Sequence, residues 1–304
     1  MSIFNPFANS LNPNLQSAVN ALIDLHDADF FLYNGPINTE GCDGLMGLIR
    51  NASQTQKRSN AILVLTTGGG DPDDGFRAMQ LLKRAYQRVR LYVFGICKSA
   101  GTMMAWGASE IIMGDFGEFG PLDVQISMES ESGRSFVSGL TYNQAIGFLT
   151  SQSVAIFNQL QNQLKSAGHS PKQAYELAAK LSVDIISPIS SQIEPQRLGE
   201  FNRAMQIASM YCQRLNPSKG ANANALAAQY PSHSFVITME EASGIFGNVS
   251  APDGVEIVLE KELLHFMRRP VKQPPAFAHL PIHELVMLSK MEHTHIMERD
   301  DVSH

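Results

Sequence analysis

Two stretches decide the fold: Ala61-Ile62-Leu63-Val64-Leu65-Thr66-Thr67-Gly68-Gly69-Gly70 and Leu91-Tyr92-Val93-Phe94-Gly95-Ile96-Cys97-Lys98-Ser99-Ala100-Gly101. Each begins as an apolar, β-favouring run and ends in a glycine-rich turn that opens a helix. A helical segment from Pro72 to about Gln87 joins them, so the order is strand, turn, helix, strand, turn, helix. Both turns then fall at the carboxyl ends of neighbouring strands, which sets bare backbone N–H groups beside the Ser99 hydroxyl. Acyl transfer needs that pairing of a nucleophile with donors for an oxyanion.

Working outward, Asp29-Phe30-Phe31-Leu32-Tyr33 reads as a first strand, ended by Gly35-Pro36. A helix is expected from about Thr39 to Arg50, because Leu45, Leu48 and Ile49 share a face. Segments 61–65, 91–95 and 110–114 read as three more strands separated by helices. Alternating strands and helices predict an α/β protein with a mostly parallel sheet covered on both sides. Residues 1 to 20 are polar and Asn-rich, with Pro6 and Pro13, and read as a loose arm.

The helix after the first glycine turn is well marked. Asp71 suits its N-cap, Pro72 its first position, and Asp73 and Asp74 complement its dipole. Capping accounts for the three aspartates better than a metal site does. Phe76, Met79, Leu82 and Tyr86 form one stripe expected to be buried.

From about Thr141 the texture changes to long helices. Ile146, Leu149, Phe157, Leu160 and Leu164 lie on one side of a helix ending near Gly168, and Ser170-Pro171 starts another. Leu198, Phe201, Met205, Ala208, Cys212 and Leu215 alternate steps of three and four. That seam fits packing within the chain, or a surface for partner subunits. Beyond Asn216-Pro217 comes a small-residue stretch, then Tyr230 to Thr238. A helix from Met239 to Phe246 and a strand from Val255 to Leu259 are expected to close the core. Residues after about Lys261 read as a peripheral extension rich in proline.

Composition bounds the partners. The chain has 304 residues, 44% of them hydrophobic, enough for one large core or two modest ones. Its net charge is −6 and it has no long basic block, which argues against nucleic acid. No apolar run approaches a membrane span, and the N-terminus lacks a signal-peptide layout. Cys42, Cys97 and Cys212 show no metal or redox spacing, so a reducing, cytoplasmic setting is expected. His283, His293, His295 and His304 sit in a charged tail without matching ligand spacing, so neither a metal nor another cofactor is expected.

Thr67-Gly68-Gly69-Gly70, Ser99-Ala100-Gly101-Thr102, Ala108-Ser109-Glu110-Ile111-Ile112-Met113 and Gly120-Pro121-Leu122-Asp123-Val124-Gln125 follow one another in the order and spacing of the Clp-fold serine peptidases. The chain most resembles the branch called serine dehydrogenase proteinases, related to signal peptide peptidase A. The segment Pro231 to Ala242 is similar to that branch as well. The resemblance implies a Clp/crotonase-type fold of repeated β-β-α units with a mostly parallel sheet. Its domain would run over residues 28–260, with a helical insertion at 141–216, after an N-terminal arm (1–27) and before a C-terminal extension (261–304).

By the same resemblance Ser99 would be the nucleophile, and the N–H groups of Gly70 and Ala100 the oxyanion hole. Gly69 and Gly101 would let a substrate backbone approach closely. The competing reading is that Ser99 merely caps its helix. The general base is less evident. Clp peptidases carry a histidine about one strand beyond the serine, where this chain has Asp123, Val124 and Gln125. Signal peptide peptidase A uses a lysine from the following helical region, yet residues 126 to 164 contain none. Lys98 is adjacent to Ser99, where neighbouring side chains diverge. His233 is the remaining candidate, with a pKa range suited to proton abstraction near neutrality; Lys165 and His169 are more distant ones. His233 could equally order its own loop. The resulting expectation is an ATP-independent serine peptidase acting on polypeptides as a homo-oligomer. A catalytically silent scaffold and a crotonase-like acyl-CoA enzyme are the alternatives.

Overall fold

The computed structural model describes residues 13–54, 58–122, 125–130, 133–218, 226, 230, 232, 234–271 and 276–280. The apolar runs form parallel strands β1 (Ala28–Asn34), β2 (Asn60–Thr66), β3 (Val89–Val93) and β5 (Glu110–Met113). Two short strands, β4 (Ile96–Cys97) and β6 (Glu118–Phe119), pair with each other beside them. A short β9 (Val249–Ser250) joins β5 in parallel, and β10 (Ala276–Leu280) pairs antiparallel with β1. The main sheet has the order β10-β1-β2-β3-β5-β9 among the described residues.

Successive side chains of a strand face opposite ways, so a strand buried on both faces must be apolar throughout. Residues Phe30, Leu32, Ile62, Val64, Tyr92 and Ile112 meet one helical layer, made of α1 (Pro13–His26) and α9 (Val255–Met267). The intervening residues face the layer of α2 (Thr39–Gln54) and α3 (Pro72–Ala85): Phe31 meets the Tyr86 ring edge-on at 5.8 Å. This is a mixed α/β architecture whose mostly parallel sheet is flanked by helices, as the alternation of strands and helices implies.

Asp71 caps α3 as its sequence implies, its carboxylate accepting from the N–H groups of Asp73 and Asp74. Met79, Leu82 and Tyr86 are buried, but Phe76 is only half-buried and stacks on Tyr211 at 4.3 Å.

Three expectations are corrected. The loose arm is helical from Pro13 onward: α1 buries Leu15, Ala18, Val19, Leu22 and Ile23, an i, i+3, i+4, i+7, i+8 set. The expected strand at Val255–Leu259 is the start of α9, since Leu259, Leu263 and Met267 recur at helical spacing against the core. Residues past Lys261 are therefore not all peripheral, because Leu263 and Met267 belong to that core.

The chain divides into two compact units. The first holds Met1–Gly120, Tyr211–Asn222 and Val236–His304, and the second Pro121–Met210 and Ala223–Phe235. In the second, a hairpin of β7 (Gln125–Ser130) and β8 (Gly133–Ser138) leads into α5 (Gly139–Ser166) and α6 (Pro171–Ser190), which pack together. Phe157 of α5 meets Tyr175 of α6 edge-on at 5.3 Å. Ser170 and Gln173 form a reciprocal capping box at the start of α6. On α7 (Pro195–Leu215), which the division cuts after Met210, Phe201, Ala208, Cys212 and Leu215 are buried. The helix α8 (Met239–Phe246) stands where expected and ends at Gly247 in the left-handed conformation.

Candidate active site

β2 ends at Thr66, and Thr67 continues into a parallel bridge with Cys97. The Thr67 N–H donates to the Ile96 carbonyl at 2.8 Å, and the Lys98 N–H donates to the Thr67 carbonyl at 3.0 Å. These bonds bring the two glycine turns side by side. The Thr67 hydroxyl folds the first turn on itself, accepting from the Gly69 N–H at 3.0 Å. The chain then bridges to Ile37, whose N–H donates to Gly69 and whose carbonyl accepts from Asp71. In a parallel bridge of that register the N–H of the middle residue, Gly70, points away from Ile37.

Glycine is required at this contact. A Cβ on Gly69 would lie 2.6 Å from the Ser99 Cβ, and one on Gly70 would lie 1.9 Å from the Ile37 carbonyl oxygen. Gly69 and Gly70 also sit at φ +111° and +147°, where side-chain-bearing residues are strained. A Cβ on Gly101 would lie 2.5 Å from Thr67 Cγ2. The turn therefore seats α4 (Ala100–Ala105) directly on the first glycine turn.

Ser99 stands at the junction of β4 and α4 with φ 54° and ψ −114°, a conformation few non-glycine residues adopt. It occupies the N-cap position, yet its side chain makes no capping hydrogen bond. The side chain therefore does not cap α4, and Ser99 sits at a strained strand-to-helix turn. Ser99 is half-buried, while Gly68 and Gly70 are exposed, so the turn opens to solvent.

Ala100 and Gly70 belong to the two turns that meet here. Ala100 is the first residue of α4, so its N–H has no partner in the helix. Neither it nor the Gly70 N–H donates to a backbone carbonyl among the described residues.

The elbow is held from behind by Thr102, which is fully buried. Its hydroxyl lies 3.1 Å from the Cys97 carbonyl and 2.9 Å from that of Gly120, and accepts from the Gly120 N–H at 3.3 Å. Nothing in the sequence alone marks this threonine as a clamp, because its partner at Gly120 is set by the tertiary fold. Burial pushes the Cys97 thiol well above its usual range, so that sulfur is no competing nucleophile.

Lys98 pairs with an acidic side chain. Its ammonium pairs with the Glu118 carboxylate at 3.1 Å and its stem packs over Gly120, with Cγ 3.0 Å from the place of a Cβ there. Lys98 thus has a carboxylate partner in Glu118. Lys165 and His169 are exposed at the end of α5. His233 lies outside the described residues, as do Asp123, Val124 and the histidines at 283, 293, 295 and 304. Among the described residues no group of His, Cys, Asp and Glu could hold a metal ion. No described helix is long and apolar enough to cross a membrane. The cavity between Tyr33, Ile37, Leu65, Asp74 and Met104 has room for no more than a water molecule.

No protein-family model matches the sequence, and no curated protein matches it. Solved structures do. A serine-to-alanine mutant of the 1510-N membrane-bound stomatin-specific protease aligns with TM-score 0.32 and 20% identity. That alignment covers 49% of this chain and 66% of the protease, just under two thirds of its length. ClpP1 from Listeria monocytogenes aligns with TM-score 0.40 and 13% identity over 77% of this chain and 96% of its own. A lysine-to-alanine mutant of the stomatin-specific protease in complex with a substrate peptide aligns with TM-score 0.32 and 17% identity, over 77% of this chain and 94% of its own. The structural neighbours are Clp-fold serine proteases, and at these values the likeness is one of general α/β outline.

Proposed function

We propose that the protein is an ATP-independent serine peptidase that cleaves polypeptides through an acyl-enzyme on Ser99. The observation that carries this reading is the Ser99 elbow: a strained, non-capping serine packed against a glycine turn, where the Gly70 and Ala100 N–H groups donate to no backbone carbonyl among the described residues. In the reaction the Ser99 oxygen attacks the scissile carbonyl carbon and its proton passes to a base. The carbonyl oxygen becomes an oxyanion held by the two N–H groups. The C–N bond then breaks, the leaving amine takes the proton, and water hydrolyses the ester to return Ser99. His233 is the base in this reading, supported by its position in the sequence and by the pairing of Lys98 with Glu118. The branch of serine dehydrogenase proteinases is supported by the sequence motifs alone. A homo-oligomer is supported by the same motifs and by the exposed Leu177, Leu181 and Ile185 on α6. Nothing in the chain resembles a Walker-type phosphate loop, which fits hydrolysis without ATP.

A fluorophosphonate probe tests the reading. The wild-type protein should gain one adduct by intact mass, and Ser99→Ala none. The labelling rate should rise with pH through a single deprotonation near neutrality, and His233→Gln should abolish that dependence together with most of the rate. A folded wild-type protein that stays unlabelled beside a labelled control peptidase would leave the silent scaffold as the better account.

A further inference from the structure

The segment following α9 does not leave the molecule after its last helical turn. It crosses the carboxyl ends of β1 and β2, where the catalytic turns of open α/β sheets lie. Asn34, the last residue of β1, is fully buried. Its amide nitrogen donates to the Phe266 carbonyl at 2.6 Å and to that of Arg269 at 3.3 Å, and its oxygen accepts from the Val271 N–H at 2.9 Å. Thr66, the last residue of β2, donates its buried hydroxyl to the Met267 carbonyl at 2.5 Å. Gly95 fits beneath the crossing: a Cβ there would lie 2.3 Å from the Met267 oxygen and 2.4 Å from that of Arg268.

The crossing connects to the serine by backbone alone. The Ile96 N–H donates to Arg268, the Thr67 N–H to Ile96, and the Lys98 N–H to Thr67, at 3.2, 2.8 and 3.0 Å. This ladder runs from the crossing segment through the first glycine turn to the residue before Ser99. A residue held at φ 54° keeps that conformation only where its surroundings over-determine it.

We propose that residues 266–271 are a strap that positions the Ser99 elbow and the Gly68–Gly70 turn, anchored by Asn34 and Thr66. The inference rests on the serine peptidase reading above. Asn34 and Thr66 are positioning residues: they act through the strap and the ladder, not on substrate. A side chain that supplies both donor and acceptor to three groups of one passing segment has a holding task that apolar packing could not perform.

The test compares Thr66→Val, which keeps the shape and deletes the donor, with Thr66→Ser, which restores it, and with Asn34→Leu. Fluorophosphonate labelling rate is read together with melting temperature, far-ultraviolet circular dichroism and amide hydrogen exchange at Thr67 and Lys98. The expected result is folded Thr66→Val and Asn34→Leu proteins labelled about ten- to a hundredfold more slowly, with faster exchange at both amides. Thr66→Ser should label near the wild-type rate. Wild-type labelling rates in Thr66→Val and Asn34→Leu, with only a lowered melting temperature, would reduce the strap to a stabilising tie and overturn the proposal. If the wild-type protein itself is never labelled, the peptidase reading fails separately, and the exchange data decide the strap. Faster exchange at Thr67 and Lys98 then supports it, and unchanged exchange overturns it.

Discussion

A serine at φ 54° and ψ −114° stores backbone strain, roughly 1–3 kcal/mol for a residue so placed. Glycine relieves that strain, whereas alanine does not, so two equally inert substitutions should differ in stability. Ser99→Gly is expected to melt about 2–4 °C above Ser99→Ala, the shift for about 1 kcal/mol in a domain of this class. Differential scanning calorimetry of the two variants checks this, and equal melting temperatures would mean the elbow is unstrained. Most of the candidate site was legible in the sequence at this scale. Ser99, Ala100, Gly101, Gly69 and Gly70 lie in two short runs whose turn chemistry is local. Asn34 was not legible, because its partners Phe266, Arg269 and Val271 are more than two hundred residues away and no spacing rule links them.

Among the elements, the misread ones are those where composition and periodicity disagreed. Residues 13–26 contain polar residues enough to suggest an arm, but their apolar positions keep strict helical spacing and settle the outcome. Val255-Glu256-Ile257-Val258-Leu259 is β-branched and strand-like in propensity, yet it folds as helix because Leu259, Leu263 and Met267 are wanted on one face. Tertiary burial overrides local preference there. If α1 is part of the core, truncating its central contact should be expensive. Leu22 is fully buried, and Leu22→Ala should lower unfolding stability by about 2–5 kcal/mol. Urea denaturation measures it; a loss within the range of surface substitutions would return α1 to the status of an arm.

At the scale of the whole molecule, one half-buried histidine bears on stability in acid. His26 ends α1, and its Nε2 finds no hydrogen-bond partner among the described residues. Burial, and then the Arg90 charge, hold its pKa below the ordinary value of 6.5. A histidine whose native pKa is depressed contributes stability that is complete above 6.5 and lost as pH falls through the lower native value. The melting temperature should therefore decline as pH falls below 6.5, and His26→Gln should flatten that decline. An unchanged slope in the variant would place the sensitivity elsewhere.

The helices α1 and α9 come from opposite regions of the chain and close the same face of the sheet. This sets a timetable during synthesis. A ribosome adding about 5–20 residues per second releases the Ser99 turn on the order of ten seconds before α9 emerges. Until then the face shared by Phe30, Ile62 and Tyr92 lacks half of its cover, and the sheet that seats the serine is unfinished. Until α9 arrives, the Ser99 turn stands on a sheet that only one of these two helices covers.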